Sequence, residues 1–434
     1  MQTAQLKNQL NQGEYRATLS ALYSADNAEI QEQIARFTAA ADRFGELFGQ
    51  DRDIALFSAP GRTEIGGNHT DHQRGRVLAA AVNLDTIAIV SINQENIIRI
   101  KSEGHDINLV DLSHLDAVPS ERGRSTALVR GIAAMFRASG YRIGGFDAYT
   151  TSEVLTGSGL SSSAAFEVLV GTILNHMYNE GKISPVAIAQ IGQRAENEYF
   201  GKPCGLMDQT ASAVGGFVAI DFADPARPVV QRVPFDLASS GYALCIVNTG
   251  GSHADLTADY TAVPAEMKEV AAQFGKQYLR EVEHEEFYAQ IGSLRGKVSD
   301  RAILRAIHFF DDNERVKQQT DALKKGDMQG FLDLVNASGR SSFEHLQNVY
   351  SPSHPSEQGI ALALALSEKI LSGRGAVRVH GGGFAGTIQA FVPHDLLGCF
   401  KQEIESVFGA GACHILSVRP VGGTRILPYQ CRKE

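Results

Sequence analysis

Residues 1–25 are polar and carry little periodic signal. From Asp26 the pattern changes. Ile30, Ile34, Phe37, Phe44 and Phe48 recur at helical spacing, which predicts an amphipathic helix to about Phe48 with Gly49 as its stop. Four short runs rich in β-branched residues follow, at 54–60, 77–82, 86–92 and 97–102, and read as strands. Residues 125–140 read as a helix closed by Gly140, and 146–154 as a strand. The run 164–178 is apolar on most sides, so a buried helix is expected there. Ser184 and Pro185 form a good helix start, an N-cap followed by proline at the first helical position, and that helix should run to Gly201. In the second half, 216–222 and 242–248 read as strands, about 262–345 as a charge-rich helical region, and 376–392 as a hairpin. A helix near 394–408 and a last strand pair, 414–420 with 424–428, complete the chain. Strands and helices are mixed without a regular βαβ repeat, which indicates an α+β architecture.

The length of 434 residues exceeds what one hydrophobic core usually holds, so two domains are expected. The formal charge of -9 argues against a nucleic-acid partner. It leaves ATP open, because a few local donors and a metal ion handle phosphates. No apolar window approaches the roughly 18 residues of a membrane span, and the N-terminus lacks the basic and apolar runs of a secretory signal. The five cysteines are scattered and never paired as CxxC, which suits free thiols in a reducing compartment and not a zinc site. A cytoplasmic monomer with small-molecule partners is the expectation.

Three glycine-rich segments concentrate the chemistry. APGRTEIGGNHTDHQRG, residues 59–75, packs Arg62, Glu64, Asn68, His69, Asp71 and His72 between two apolar strands. So dense a polar cluster makes a poor core; a solvated turn is the plain alternative. GSGLSSSAA, residues 157–165, opens the buried helix. Glycines there admit close backbone approach, and the free N–H groups of a helix start suit phosphate. Taken alone, it is equally a capped helix after a tight turn. HGGGFAG, residues 380–386, sits inside the hairpin, where bulges would explain the glycines as well.

Together, in this order, the segments resemble the three motifs of the GHMP small-molecule kinases, and within them those of the galactokinases. GRTEIGGNHTDHQRG resembles GRxNxIGEHTDYxxG without insertion or deletion. The serine-rich loop resembles PxGxGLSSSAxxE, and GAVRVHGGGFAGTIQA resembles GxRxTGGGFGGxxxA. A fourth patch, AENEYFGKPCGLMDQTASAVGG, resembles AENxFxGxxCGxMDQxxSxxG. The resemblance runs from about Phe44 to the C-terminus. It implies a two-domain fold, with an N-terminal ribosomal-protein-S5-like domain and a C-terminal ferredoxin-like α/β sandwich. The domains would span 41–214 and 215–434, after an extension of residues 1–40 whose role, a cap or a contact surface, stays open.

The resemblance also implies the chemistry, transfer of a phosphoryl group from ATP to the anomeric hydroxyl of galactose. Gly157, Ser158, Gly159, Leu160, Ser161, Ser162 and Ser163 would cradle the ATP phosphates, with Ser102 near the nucleotide. Ser163 and Glu196 would hold Mg2+, a hard ion suited to oxygen ligands. Asp208 would accept the proton of the sugar hydroxyl, and Arg62 would stabilise the transferring group and keep Asp208 ionised. Asp71 would grip the 3- and 4-hydroxyls, and His69, the backbone of Gly205 and Tyr260 would complete the sugar contacts. Asn68 occupies the position that faces the 6-hydroxyl in the family, where the family carries Glu. Glu64 replaces the family's Asn, His72 its Tyr, Leu155 its Pro and Ala385 its Gly. Glu64 lies two residues from Arg62, so on a strand the two share a face and a pairing between them is open, with coordinated drift within a subfamily as the plainer reading. The change at 68 keeps kinases for galacturonate, N-acetylgalactosamine or arabinose as alternatives. A catalytically silent sugar sensor of the same fold is the alternative from another class. Mevalonate or homoserine kinases fit less well, because their first motif lacks the HTD triplet.

Overall fold

The computed structural model describes residues 1–23, 27–155, 159–251 and 256–428. Three helices open the chain: α1 (Thr3–Asn11), α2 (Arg16–Tyr23) and α3 (Asn27–Phe48). A first mixed region holds β1 (Ala55–Gly66), β2 (Arg76–Ile92), β3 (Ile97–Ser102), β4 (Ile107–Asp111), α4 (Ser125–Ala138) and β5 (Phe146–Ser152). Then follow α5 (Ser162–Tyr178), α6 (Pro185–Ala195), α7 (Met207–Val214), β6 (Phe217–Asp221) and β7 (Val229–Val233). The rest comprises β8 (Tyr242–Asn248), α8 (Thr257–Gln273), α9 (His284–Leu294), α10 (Asp300–Lys325) and α11 (Met328–Ser341). It closes with α12 (Gly359–Leu371), β9 (Ala376–Val379), β10 (Thr387–Pro393), α13 (Leu397–Phe408), β11 (Cys413–Leu416) and β12 (Thr424–Ile426).

The strands form two sheets. The larger runs β12-β1-β2-β5-β3-β4, with β6 on the other end of β2 and β7 beside β6; the smaller runs β11-β8-β10-β9. Alternation along each strand decides what its two faces bury. Phe57, Ala88 and Val90 face a core shared with Val129 and Phe136 of α4 and Leu169 and Ile173 of α5. Their neighbours Leu56, Ile87 and Ile89 face Ile34, Phe37 and Phe44 of α3 and Leu6 and Leu19 of the first two helices. In the smaller sheet, Leu244, Ile246 and Phe391 pack on α10, α11 and on Ile65, Leu78 and Phe217 of the larger sheet. Cys245, Val247 and Ala390 face α12 and α13 instead.

The α+β expectation holds, with four local differences. The extension is helical from Thr3 and covers one face of the larger sheet; its apolar residues are sparse, but Leu6 and Leu10, then Leu19 and Tyr23, lie one turn apart and are buried. Runs 77–82 and 86–92 are one strand, because the polar interruption at Asn83–Asp85 is not a turn. Asp85 is buried there and accepts from Arg36 Nη1 (2.6 Å), Arg419 Nη1 (2.8 Å), Tyr23 Oη (2.7 Å) and Ser58 Oγ. The last two strands do not pair with each other. β11 pairs with β8 and β12 with β1, since the connector between them carries Arg419 across to Asp85. Finally, β6 and β7 belong to the larger sheet, so the chain passes to the smaller sheet only after Val233.

Candidate active site

Arg62 comes from β1, where every residue of the strand is buried. Its backbone N–H donates to Leu160 O at 3.0 Å, which fastens the serine-rich loop to the strand. Gly61 makes that approach possible: a Cβ there would sit 2.9 Å from Leu160 O and 3.0 Å from Val154. The Arg62 guanidinium donates through Nε to Asp208 Oδ1 at 2.8 Å and through Nη1 to Gly159 O. Asp208 stands in the first turn of α7, and its Oδ2 accepts from Ser161 Oγ at 2.7 Å. Burial tends to raise the Asp208 carboxyl, but the charge and hydrogen bond of Arg62 and the Ser161 hydroxyl outweigh it and hold its pKa below the ordinary value. The carboxylate keeps about 30% exposure, so it is both ionised and reachable.

Leu160 is buried, and Ser161 caps α5 in a left-handed conformation (φ 58°), with Ser162 and Ser163 in the first helical turn. Gly157 and Ser158 lie outside the described residues. Ser163 Oγ lies 3.4 Å from Glu196 Oε1. Glu196 opens a π-helical turn that ends the helix begun at Pro185, a distortion often found at functional sites. Ser102 stands apart at the end of β3, hydrogen bonded to Thr150 at 2.9 Å, and among the described residues it makes no hydrogen bond to the serine-rich loop.

Around Glu196 lie groups that sequence reasoning did not single out. Gln209 Nε2 donates to Glu196 Oε2 (3.0 Å) and to Glu167 Oε2 (2.9 Å), and Lys202 Nζ reaches Glu196 Oε1 at 3.4 Å. Among the described residues, Glu167 Oε1 is buried without a hydrogen-bond partner. Burial, then the nearby Glu196, pushes the Glu167 carboxyl well above its ordinary range. The signal for Glu167 was in the sequence: one carboxylate inside an otherwise apolar helix. Among the described residues there is no cluster of three or more His, Cys, Asp or Glu that would hold a metal ion by itself. The donors present, a serine hydroxyl and a carboxylate, are nevertheless hard oxygens of the kind Mg2+ takes alongside phosphate and water.

The turn after β1 carries the sugar candidates. His69 has φ 58° and its ring lies 2.9 Å from Gly382 O. A carbonyl only accepts, so Nε2 carries the proton. Burial and the neighbouring His72 lower the His69 pKa to about 4, so the ring is neutral. Asp71 Oδ1 accepts from the N–H of His72 at 2.9 Å, and a Cβ on Gly205 would come within 2.4 Å of Asp71 Oδ2. Asp71 and Gly205 therefore line one space, three residues from Asp208. Tyr260 Oη donates to Gly383 O at 2.7 Å and its ring meets Phe384 edge-on.

Asn68 does not face open space. It is fully buried, its Nδ2 donates to Glu64 Oε1 (2.9 Å) and Gly381 O (2.7 Å), and its Oδ1 accepts from Asn348 Nδ2 (2.7 Å). Glu64 does not pair with Arg62 either. Arg378 Nη2 takes its Oε1 at 2.8 Å, while Arg62 is committed to Asp208. Burial raises the Glu64 carboxyl against the pull of Arg378. The turn is held from α10: Asp312 Oδ2 accepts from the N–H groups of Gly67 (3.2 Å) and Asn68 (3.0 Å), and His308 Nε2 donates to Asn68 O (2.9 Å). Burial would raise the Asp312 carboxyl, but His308, Arg315 and Arg378 hold it at about 2. These helix residues lie in the charge-rich region, where sequence alone marks none of them.

Residues 42–92 match the galactokinase galactose-binding signature, and 127–216 match the GHMP kinase N-terminal domain. A galactokinase of Streptomyces coelicolor is 31% identical over 392 residues, 89% of this chain and 97% of that protein. A galactokinase of Lactococcus lactis is 29% identical over 386 residues, 87% of this chain and 93% of that protein. The solved structure of the Lactococcus lactis galactokinase complexed with galactose superposes with a TM-score of 0.76 at 26% identity, covering 90% of this chain and 100% of that one. A mevalonate kinase of Methanococcus jannaschii, with a TM-score of 0.60 at 14% identity over 84% of this chain and 98% of that one, shares the fold alone. On this likeness along nearly the whole length, the chain belongs to the galactokinase family of GHMP kinases.

Proposed function

We propose that the chain transfers the γ-phosphoryl group of ATP to the anomeric hydroxyl of galactose, giving galactose 1-phosphate and ADP. The observation that carries this reading is the Arg62–Asp208 pair, which touches the serine-rich loop at Gly159 and Ser161. Asp208, ionised and partly exposed, takes the proton from the sugar's C1 hydroxyl as that oxygen attacks the γ-phosphorus. The bond from the γ-phosphorus to the β-phosphate oxygen breaks, and ADP leaves. Arg62 keeps Asp208 charged and offers positive charge to the group in flight. Asp71 accepts two sugar hydroxyls, and Gly205 leaves room beside it for the ring. The N-terminal turn of α5 binds phosphate oxygens through backbone N–H groups.

Ser163 and Glu196 are the residues that would hold Mg2+, and the ion when bound neutralises phosphate charge. Gln209 keeps Glu196 aimed, and Lys202 balances the paired carboxylates. As a cytosolic enzyme, the chain would keep its thiols reduced, in keeping with their scatter.

The test is ADP release coupled to a dehydrogenase, with galactose, N-acetylgalactosamine, galacturonate, arabinose and glucose compared by kcat/KM. Galactose is expected to lead. Release with another sugar but not with galactose would reassign the substrate, and release with none would favour a silent sensor.

A further inference from the structure

Glu64 and Asn68 stand in the reverse order to the family pattern, and the structure shows them bonded to each other. Both hydrogens of the Asn68 amide are used, on Glu64 and on Gly381 O. Its oxygen takes Asn348 Nδ2, with Ser342 Oγ at 3.4 Å. The wall beside it is equally occupied. Gly381 O accepts from Asn68, Gly382 O from His69 and from Asn348 Nδ2 (3.1 Å), and Gly383 O from Tyr260. Glu64 is buried against Arg378. Asn348 Oδ1 has no hydrogen-bond partner among the described residues, but it is enclosed. The Gly383 backbone packs on that side chain, where a Cβ would come within 2.6 Å of Nδ2.

We propose that Glu64 and Asn68 act as one buried specificity unit that withdraws side-chain recognition from the sugar's exocyclic end, so that the site accepts galacto-configured sugars with no 6-hydroxyl. The proposal rests on the galactose reading above, and on position 68 facing C6 as the family resemblance implies. The Asn68 amide has both hydrogens and its oxygen paired inside the protein, and Glu64 Oε1 is shared by Asn68 and Arg378, so these atoms gain little from a sugar hydroxyl. The C6 group is then discriminated by shape alone, while Asp71, outside this network, still reads the hydroxyls on the ring.

The magnitude separates the cases. A site that hydrogen-bonds a substrate hydroxyl rejects the analogue lacking it by about 10⁴–10⁵, whereas a pocket sensing shape discriminates by only about 10–200. The experiment compares kcat/KM for galactose, 6-deoxygalactose and glucose with the purified chain, ATP and Mg2+. The expected ratio of galactose to 6-deoxygalactose lies below about 10³, with glucose rejected more strongly. A ratio of about 10³ or more overturns the proposal while leaving the galactokinase reading intact. No turnover of galactose removes that reading and this one with it. The reciprocal exchange, Glu64→Asn with Asn68→Glu, restores the family order. In a folded variant it should raise the galactose preference at least about tenfold, far short of the full worth of a read hydroxyl. An unchanged ratio in that folded variant overturns the assignment to this pair. If the exchange prevents folding, the ratio of the unaltered chain decides alone.

Discussion

Asp85→Asn tests what fastens the N-terminal helices to the larger sheet. The carboxylate lies on β2 and is completely buried. Arg36 approaches it from α3 at 2.6 Å and Arg419 from the C-terminal connector at 2.8 Å. Arg419 is fully buried, and the Arg36 side chain keeps about 10% exposure. At an effective dielectric of about 20, each unit-charge contact near 4 Å is worth about 4 kcal/mol before desolvation is counted. Desolvation offsets most of that while the pair is intact. Once the anion is gone, however, Arg419 faces a neutral amide and Arg36 keeps only the more exposed Glu153 (3.0 Å), and breaking a buried pair this way costs about 3–5 kcal/mol. That is a large part of the 5–15 kcal/mol typical of a whole domain. The assay is urea unfolding at pH 7 followed by tryptophan-independent far-UV circular dichroism, since the chain has no tryptophan. The pH dependence supplies a second handle. Burial raises the Asp85 carboxyl, but Arg36 and Arg419 outweigh it and its folded pKa lies below the ordinary 3.8. Its stabilisation is therefore complete above the unfolded value and is lost as pH falls through the folded one. The unaltered chain should lose stability more steeply below about pH 4 than Asp85→Asn does. A cost under about 1 kcal/mol at pH 7, the size of an exposed pair, would refute the reasoning.

Asp208→Asn should lower kcat by about 10²–10⁴ while nucleotide affinity, measured by calorimetry, changes little. Near-normal turnover would remove Asp208 from its role. Arg62→Met removes the charge that opposes burial at Asp208, so the acid limb of the kcat/KM profile should move to higher pH; an unmoved limb would mean that another group titrates. Gly61→Ala places a methyl group 2.9 Å from Leu160 O, so it should push the serine-rich loop off β1 and raise KM for ATP more than KM for galactose. Equal effects on both constants would point to general unfolding instead.

Much of the fold could be read from the chain because its signals are local. The helix at Asn27–Phe48 and the strands Ile97–Ser102 and Tyr242–Asn248 follow from periodicity and β-branched content. What escaped depends on distant partners. Asn83–Asp85 looks like a turn until Arg36 and Arg419 arrive to satisfy Asp85. The segments 414–420 and 424–428 look like a hairpin, yet each finds its partner in a different sheet. The same holds at the site. The Arg62–Asp208 contact follows from two motifs that the resemblance aligns. The burial of Asn68 does not, because it is set by Asn348, Gly381 and Asp312, all more than two hundred residues away. A hydrogen-bond partner so remote leaves no trace in local composition.

The route of the chain also has a consequence for how it is made. Synthesis releases β1 and β2 early, but Arg419 follows Asp85 by 334 positions and β12 arrives later still to cover the edge of β1. Until then the buried carboxylate lacks one of its two cations and a sheet edge stays open to other chains. Native closure of the sheet that holds β1 and β2 therefore waits for a residue made 334 positions after Asp85. A ribosome that stops short of Arg419 releases a chain with its serine-rich loop and its Arg62–Asp208 pair already encoded, yet with no means of closing the sheet that holds them.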